Sequence, residues 1–380
     1  MTETGRPRIL LALVGDIERD IAARVKYGYF ARALNQECGE VQAVDVTLRG
    51  LARWLNAARV FHPDFHIWRE RFWKNIYTFA PRSRRVARAV KKHQPQVVLQ
   101  LGAVFDAGLY QSSAPVLMYT DYTAQLSARR ASAGRSPFSP QQRRRWLEME
   151  SAAYQRARHI FVRSQMVLDS LVGEYQVPAG KISIVGGGVN FSALPELSAQ
   201  IRHTEEPIAL FIGKEFLRKG GDVLLQAFAL VRREFPAARL ALVTGERIPA
   251  GLPMAGVDLL SPTWERDSLM ELYRQSDVFV LPSRLETWGD VLPEAMAFGL
   301  PCIGVQSDAM GEIITGAETG LIVPPEDPQA LAAALLRLFR DPDLRARMGR
   351  AGRRRVEALF TWERVAAAMC PVIEKIIQQR

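Results

Sequence analysis

The chain has 380 residues, 48% apolar and 24% charged, which exceeds what one ordinary core supports and sets an expectation of two domains. Its three cysteines, Cys38, Cys302 and Cys370, show neither metal-ligand spacing nor an even framework, which argues against a zinc site or a disulfide scaffold and suits a reducing cytoplasm. The net charge of +10 is uneven: residues 1–190 carry 28 Lys/Arg against 15 Asp/Glu, and the remainder 22 against 25.

Taken in order, the first apolar run, 9–14, is too short for a signal-peptide core or a membrane span and reads as a strand. A cytoplasmic protein is expected. The period of 21–34 predicts a helix and 41–46 a second strand. The stretch 49–92, bounded by Arg49 and Lys92, then holds 12 basic and 2 acidic residues among Trp54, Phe61, Phe65, Trp68, Phe72, Trp73, Tyr77 and Phe79. Aromatic and basic residues on a helical period suit an anionic membrane surface. They equally suit a solvated helix face whose aromatics pack inward. No zinc-finger spacing, helix-turn-helix signal or aromatic-rich binding strand accompanies the stretch, so no nucleic-acid partner is expected.

Further strands are expected at 97–101, 116–119, 160–162 and 182–185, with helices at 143–157 and 165–175. The segment 185–190, VGGGVN, puts three glycines after a strand. It reads as an anion nest, as close backbone approach to a ligand around Gly187, or as a hinge. Residues 191–207 turn polar, contain two prolines and mark a break. A second series of strands follows at 208–212, 240–243, 257–259, 278–281 and 302–305, with helices at 223–235 and 267–275. Helices at 328–339, 344–359 and 362–378 close the chain. Strand–helix alternation in two series predicts two doubly wound α/β domains with parallel sheets.

Two segments of the second series carry chemistry. The first, 211–221, FIGKEFLRKGG, is a strand end, Gly213 and a loop with Lys214, Arg218 and Lys219 before a helix, which suits a diphosphate. The second, 281–301, LPSRLETWGDVLPEAMAFGLP, places Glu286 in the loop at a strand's carboxyl end. Glu294 follows on the next helix, expected from about Asp290 to Phe298 with Asp290 as N-cap. Carboxylates there can grip vicinal hydroxyls, and the amides between them, from Trp288 through Gly289 and Asp290 to Val291, favour an anion. A pair of glutamates at this spacing is on its own more often solvated surface, so the weight rests on the ordered series.

That series resembles the retaining glycosyltransferases of family 4 (GT4), which have the GT-B architecture of two Rossmann-like domains facing a central cleft. The similarity runs through ARHIFVRS at 157–164, KISIVGGGVN at 181–190, Gly213 to Gly220, the Glu286/Glu294 run, GLIVPPED at 320–327 and FTWER at 360–364, about the C-terminal 60% of the chain. The resemblance implies an acceptor-binding domain over 1–190 and a nucleotide-sugar donor domain over 191–360. A final helix, 361–380, would return to the first domain. Glu294 then resembles the glutamate on the nucleotide ribose, Glu286 the one on the donor sugar's hydroxyls, and Lys219 the lysine on the diphosphate. Lys214 stands where an arginine is usual, which keeps the charge and loses the planar fork. Two glycines, Gly186 and Gly187, replace the usual proline–asparagine, and Asn190 replaces an aspartate.

The reaction implied is transfer of a hexose, with retention, from a nucleotide-diphosphate sugar to a lipid, polysaccharide or small-molecule acceptor. The sequence has no Asp-x-Asp signature in a suitable loop, so neither metal nor cofactor is expected, and lysines would stabilise the departing diphosphate. The first domain offers only Gly15 in VGDIE at 14–18 for the family's glycine-rich loop, and Asp121, in LMYTDYT at 117–123, where a histidine is usual. A nucleotide-dependent oxidoreductase is the enzyme alternative. A non-catalytic basic membrane-surface or regulatory protein with a degenerate sugar-nucleotide cleft is the other. Location at the inner face of the membrane follows if the stretch 49–92 binds it.

Overall fold

The computed structural model describes residues 6–129, 138–197 and 206–379; the middle of the polar 191–207 segment lies outside them. The chain forms two compact units. One runs to Gly186 and resumes at Trp362, and the other is Gly187–Thr361.

The first unit is a parallel sheet in the order β2-β1-β3-β4-β5-β6. Its strands are β1 (Arg8–Leu13), β2 (Glu40–Asp45), β3 (Val97–Leu101), β4 (Val116–Thr120), β5 (His159–Val162) and β6 (Ile182–Ile184). Every residue of β3, β4 and β5 is buried, as a sheet covered on both faces requires, while the edge strand β2 alternates toward solvent. The helices are α1 (Ile21–Ala23), α2 (Tyr29–Glu37), α3 (Gly50–Arg59), α4 (Phe65–Trp73), α5 (Ile76–His93), α6 (Ala124–Arg129), α7 (Pro140–Arg156) and α8 (Gln165–Gly173). A π-helical segment, Arg24–Gly28, joins α1 to α2, so the expected 21–34 helix is one helical run with a widened turn in it.

The second unit repeats the plan in the order β12-β11-β10-β7-β8-β9. Its strands are β7 (Ile208–Ile212), β8 (Arg239–Val243), β9 (Val257–Leu260), β10 (Val278–Leu281), β11 (Cys302–Val305) and β12 (Gly320–Val323), all paired in parallel. The helices are α9 (Gly221–Glu234), α10 (Arg266–Gln275), α11 (Val291–Ala297), α12 (Met310–Ile313), α13 (Pro328–Arg340) and α14 (Pro342–Leu359). The last helix, α15 (Trp362–Gln378), belongs to the first unit. Its Trp362, Val365, Ala366, Met369, Ile373 and Ile376 recur at helical spacing and join Phe30 and Leu34 of α2 in one core.

Two expectations need correction. Cys38, at the end of α2, and Cys370, on α15, are joined by a disulfide with Cα atoms 5.0 Å apart, although 332 residues separate them. Spacing along the chain could not reveal it, because only the packing of α15 on α2 brings the two together. Strand β12 is an addition to the expected series, since a four-residue run opening with glycine carries little strand signal. A Cβ at Gly320 would overlap the carbonyl oxygen of Cys302, so this glycine is what lets β12 lie against β11.

The basic–aromatic stretch folds as α3, α4 and α5, and its aromatics divide. Phe79 is buried and the Trp68 indole N–H donates to the Ala57 carbonyl at 3.0 Å, but Trp54, Phe61, Phe65, Trp73 and Tyr77 are exposed. Helix α3 buries only Asn56.

Candidate active site

In the second unit β7 and β10 are hydrogen-bonded neighbours, yet the chain leaves them in opposite directions, to β8 and β9 on one side and β11 and β12 on the other. That is the topological switch point, where open parallel sheets bind ligands at the strands' carboxyl ends. Both chemistry-bearing segments sit there. The loop after β7 holds Gly213, Lys214 and Lys219, and the loop after β10 holds Glu286.

The two loops are stitched together by the backbone. Arg284 N–H donates to the Arg218 carbonyl at 2.9 Å, and Arg218 Nη1 donates to the Leu285 carbonyl at 2.7 Å. Gly220 has a left-handed φ of 73°, and a Cβ there would overlap the Pro282 carbonyl oxygen. Gly213 is constrained in a similar way. Its Cβ would come within 2.8 Å of the Lys219 Cβ, so only glycine lets that lysine's stem pass. The Lys219 ammonium then forms an ion pair with the Glu286 carboxylate, both side chains largely shielded from solvent. Asp308, after β11, accepts the Glu286 N–H at 2.8 Å and fixes the carboxylate's base.

Glu294, on α11, is enclosed. Arg266 Nη2 lies 2.9 Å from Oε1, and the Tyr273 hydroxyl donates to Oε2 at 3.1 Å. Burial pushes the Glu294 carboxyl above its ordinary range, and the Arg266 guanidinium pulls it partly back. Arg266 and Tyr273 stand seven residues apart on α10, two turns along one face. Neither is singled out by sequence pattern, nor is Asp308. An arginine seven residues before a tyrosine, on the helix entering β10, was the available signal.

Lys214 is placed differently from Lys219. Its ammonium lies 4.2 Å from the ring centroid of the half-exposed Trp264, a cation–π arrangement. Trp288 turns its indole into the core against Phe360, with ring centroids 5.7 Å apart, so only its backbone remains available to the site. Gly289 turns the chain with φ 81°, and its missing Cβ keeps clear of the Glu286 side chain. Helix α11 starts at Val291 with Asp290 at the N-cap position, but the Asp290 side chain makes no capping hydrogen bond. Gly187 is buried and opens the second unit.

Gly15 and Asp121 are in the first unit. Gly15 follows β1 with φ 113°, and its N–H donates to Asp45 Oδ1 and Thr47 Oγ1, both at 3.1 Å. Asp121 directly follows β4 at the carboxyl edge of the sheet.

Two doubly wound parallel sheets, the second with paired charges on its switch-point loops, define the GT-B class of α/β fold. The chain aligns over 99% of its length with the whole chain of sucrose-phosphate synthase from Thermosynechococcus elongatus (TM-score 0.74, 22% identity). It also aligns over 97% of its length with the whole chain of Anabaena HepE, solved with UDP and glucose (TM-score 0.63, 14% identity). Residues 28–193 match the family model for glycosyltransferase family 4, and residues 195–355 the model for glycosyl transferases group 1. The chain therefore belongs to the group 1 glycosyltransferases of family 4. It is 31% identical over 233 residues to D-inositol 3-phosphate glycosyltransferase of Streptomyces avermitilis, an alignment covering 55% of this chain and 50% of that protein. The chain spans about half the length of the curated relatives it matches.

Proposed function

We propose that the protein is a retaining, metal-independent glycosyltransferase that moves a hexose from a nucleotide-diphosphate sugar to a lipid, polysaccharide or small-molecule acceptor. The observation that carries this reading is the Lys219–Glu286 pair, held at the switch point by loops from adjacent strands. Breaking the bond between an anomeric carbon and a diphosphate builds negative charge on the leaving oxygen and positive charge on the sugar. Lys219, largely shielded from solvent, takes the first charge, and Lys214 joins it once it leaves Trp264. Glu286 holds sugar hydroxyls, and Glu294, fixed by Arg266 and Tyr273, faces the ribose. The acceptor attacks from the face that the phosphate leaves. The two glycosyltransferase family models and the D-inositol 3-phosphate glycosyltransferase relative leave the oxidoreductase and non-catalytic readings without support.

Incubation with a panel of radiolabelled nucleotide sugars tests the reading. Binding, donor hydrolysis or transfer with at least one of them is expected, and silence across the panel sinks it.

A second reading concerns where the enzyme works. Among the described residues no helix is long and apolar enough to cross a membrane. Leu51 and Trp54 on α3 are 73% and 75% exposed, and Phe61, Phe65 and Trp73 stand out beside Arg53, Arg59 and Arg69. Aromatics that sit at headgroup depth and arginines for lipid phosphates make this face a peripheral dock for an anionic membrane.

A further inference from the structure

Among the described residues, five that are not glycine hold a left-handed φ, a region that L side chains rarely adopt. Two of them turn the side chain back on the helix just passed. Gln94, at the end of α5, donates to the Lys91 carbonyl at 2.9 Å, and Gln176 to the Gly173 carbonyl at 2.7 Å. A third, Ala317, has only a methyl group. The remaining two, Asp308 (φ 50°) and Glu326 (φ 57°), do something else. Their carboxylates leave the turn and meet on one loop, the loop after β10 that carries Glu286.

Asp308 follows β11, and its Oδ2 accepts the Glu286 N–H at 2.8 Å and the Ser307 hydroxyl at 3.2 Å. Glu326 follows β12 and accepts from Arg284 Nη2 at 2.7 Å. Arg284 also forks onto Asp222, near the start of α9, through Nη1 to Oδ1 at 2.7 Å and Nη2 to Oδ2 at 2.9 Å. The loop is thus gripped from both sides of β10: by the β7 loop and α9 on one, and by the turns after β11 and β12 on the other. A strained residue persists only where its surroundings over-determine it, and such residues gather where geometry serves function.

The chemistry sets a need for that grip. In this structure the Glu286 carboxylate pairs with Lys219. A diphosphate draws the lysine to itself, and Glu286 then keeps its aim only if something else fixes its backbone. The Asp308 hydrogen bond and the Arg284 fork do so without involving Lys219.

We propose that Asp308 and Glu326 are positioning residues, whose strained turns hold the 284–286 backbone so that Glu286 meets the donor's sugar after Lys219 has moved to the diphosphate. The inference rests on the glycosyltransferase reading above, which gives the diphosphate to Lys219 and the sugar hydroxyls to Glu286.

Glycine adopts a left-handed φ freely, so Asp308→Gly and Glu326→Gly remove a carboxylate and keep the turn. Asparagine tolerates that φ and retains a side-chain acceptor, so Asp308→Asn is the rescue. Calorimetric titrations compare UDP with UDP-glucose, GDP with GDP-mannose and ADP with ADP-glucose. For a pair that the wild type binds, Asp308→Gly should weaken the nucleotide sugar about tenfold and leave the nucleoside diphosphate unchanged. Glu326→Gly should give the same selective loss at smaller size, because its pair with Arg284 is more exposed. Asp308→Asn should bind both as the wild type does. A merely structural role would weaken both members of a pair together.

Amide hydrogen exchange over residues 283–287 carries the test where the protein accepts none of these sugars. It should quicken about tenfold in Asp308→Gly and keep the wild-type rate in Asp308→Asn. Unchanged sugar affinity in both glycine variants, a joint loss of nucleotide and sugar, or unchanged exchange overturns the proposal. Failure of the wild type to bind any of these nucleotides counts instead against the glycosyltransferase reading, and the exchange rates still decide whether Asp308 holds the loop.

Discussion

Arg266 and Glu294 meet at 2.9 Å with side chains 17% and 4% exposed, on helices that flank β10, and the Tyr273 hydroxyl takes the second carboxylate oxygen. Removing one partner of such a pair leaves the other charge buried and alone. Arg266→Ala should lower the unfolding free energy by about 3 kcal/mol at pH 8. A carboxyl whose folded pKa lies above its unfolded value holds its proton more tightly in the native state. Its contribution is therefore most favourable below the unfolded pKa and is lost as pH rises through the folded one. The substitution raises that folded pKa further, so its deficit should shrink between pH 8 and pH 5. Urea titrations at both values decide, and an equal deficit would mean that Glu294 is not what Arg266 neutralises.

The Lys219–Glu286 pair gives a functional prediction. Glu286→Gln and Lys219→Ala should each reduce sugar transfer by about a hundredfold or more, with circular dichroism unchanged. Near-normal turnover in either variant would undo the assignment. Transfer should also proceed at the same rate in EDTA as in magnesium, because the lysines take the leaving charge.

Gly220 predicts a backbone effect. Alanine there must hold a left-handed φ and push against the Pro282 carbonyl, so Gly220→Ala should cost about 2 kcal/mol or more and weaken nucleotide binding. Gly311→Ala is the control: a Cβ at that position, in α12, meets nothing within 4 Å. Thermal melts and nucleotide titrations of the two variants should diverge, and matched behaviour would mean that the β7 and β10 loops tolerate separation.

The disulfide predicts a thiol count. Cys38 and Cys370 are bonded and Cys302 is buried, with burial raising its thiol pKa. Protein kept from reductant should titrate as no accessible thiol when native, one when denatured and three after reduction. Reduction should also lower stability by about 4 kcal/mol, given the length of chain the bond closes. Two or more thiols in the denatured, unreduced protein would contradict the bond.

The exposed face of α3 and α4 should bind vesicles containing anionic lipid and release them as salt rises, since screening weakens the arginine contacts. Trp54→Ser with Arg53→Gln should weaken sedimentation with such vesicles and leave neutral vesicles unaffected. Indifference to lipid charge would leave this face as solvated surface.

Much of the fold was legible because its strands are buried on both faces. The run VFVL of β10, stopped by Pro282, can be little else, and the Glu286 loop follows from it. The partners were not legible, for a common reason. Arg266, Tyr273 and Asp308 reach the glutamates from other segments of the chain, and their choice depends on which helix lies beside which strand. Gly320 and the Cys38–Cys370 bond likewise answer to tertiary neighbours rather than to local pattern.

The return of α15 has a consequence for how the molecule is made. The core of the first unit includes Trp362, Met369 and Ile373, so that unit lacks a wall while residues 187–361 are still being synthesised. The second unit, contiguous in sequence, can finish first. Folding on the ribosome should thus run against chain order: the domain begun earliest is completed last, when α15 emerges to cover α2 and Cys370 meets Cys38.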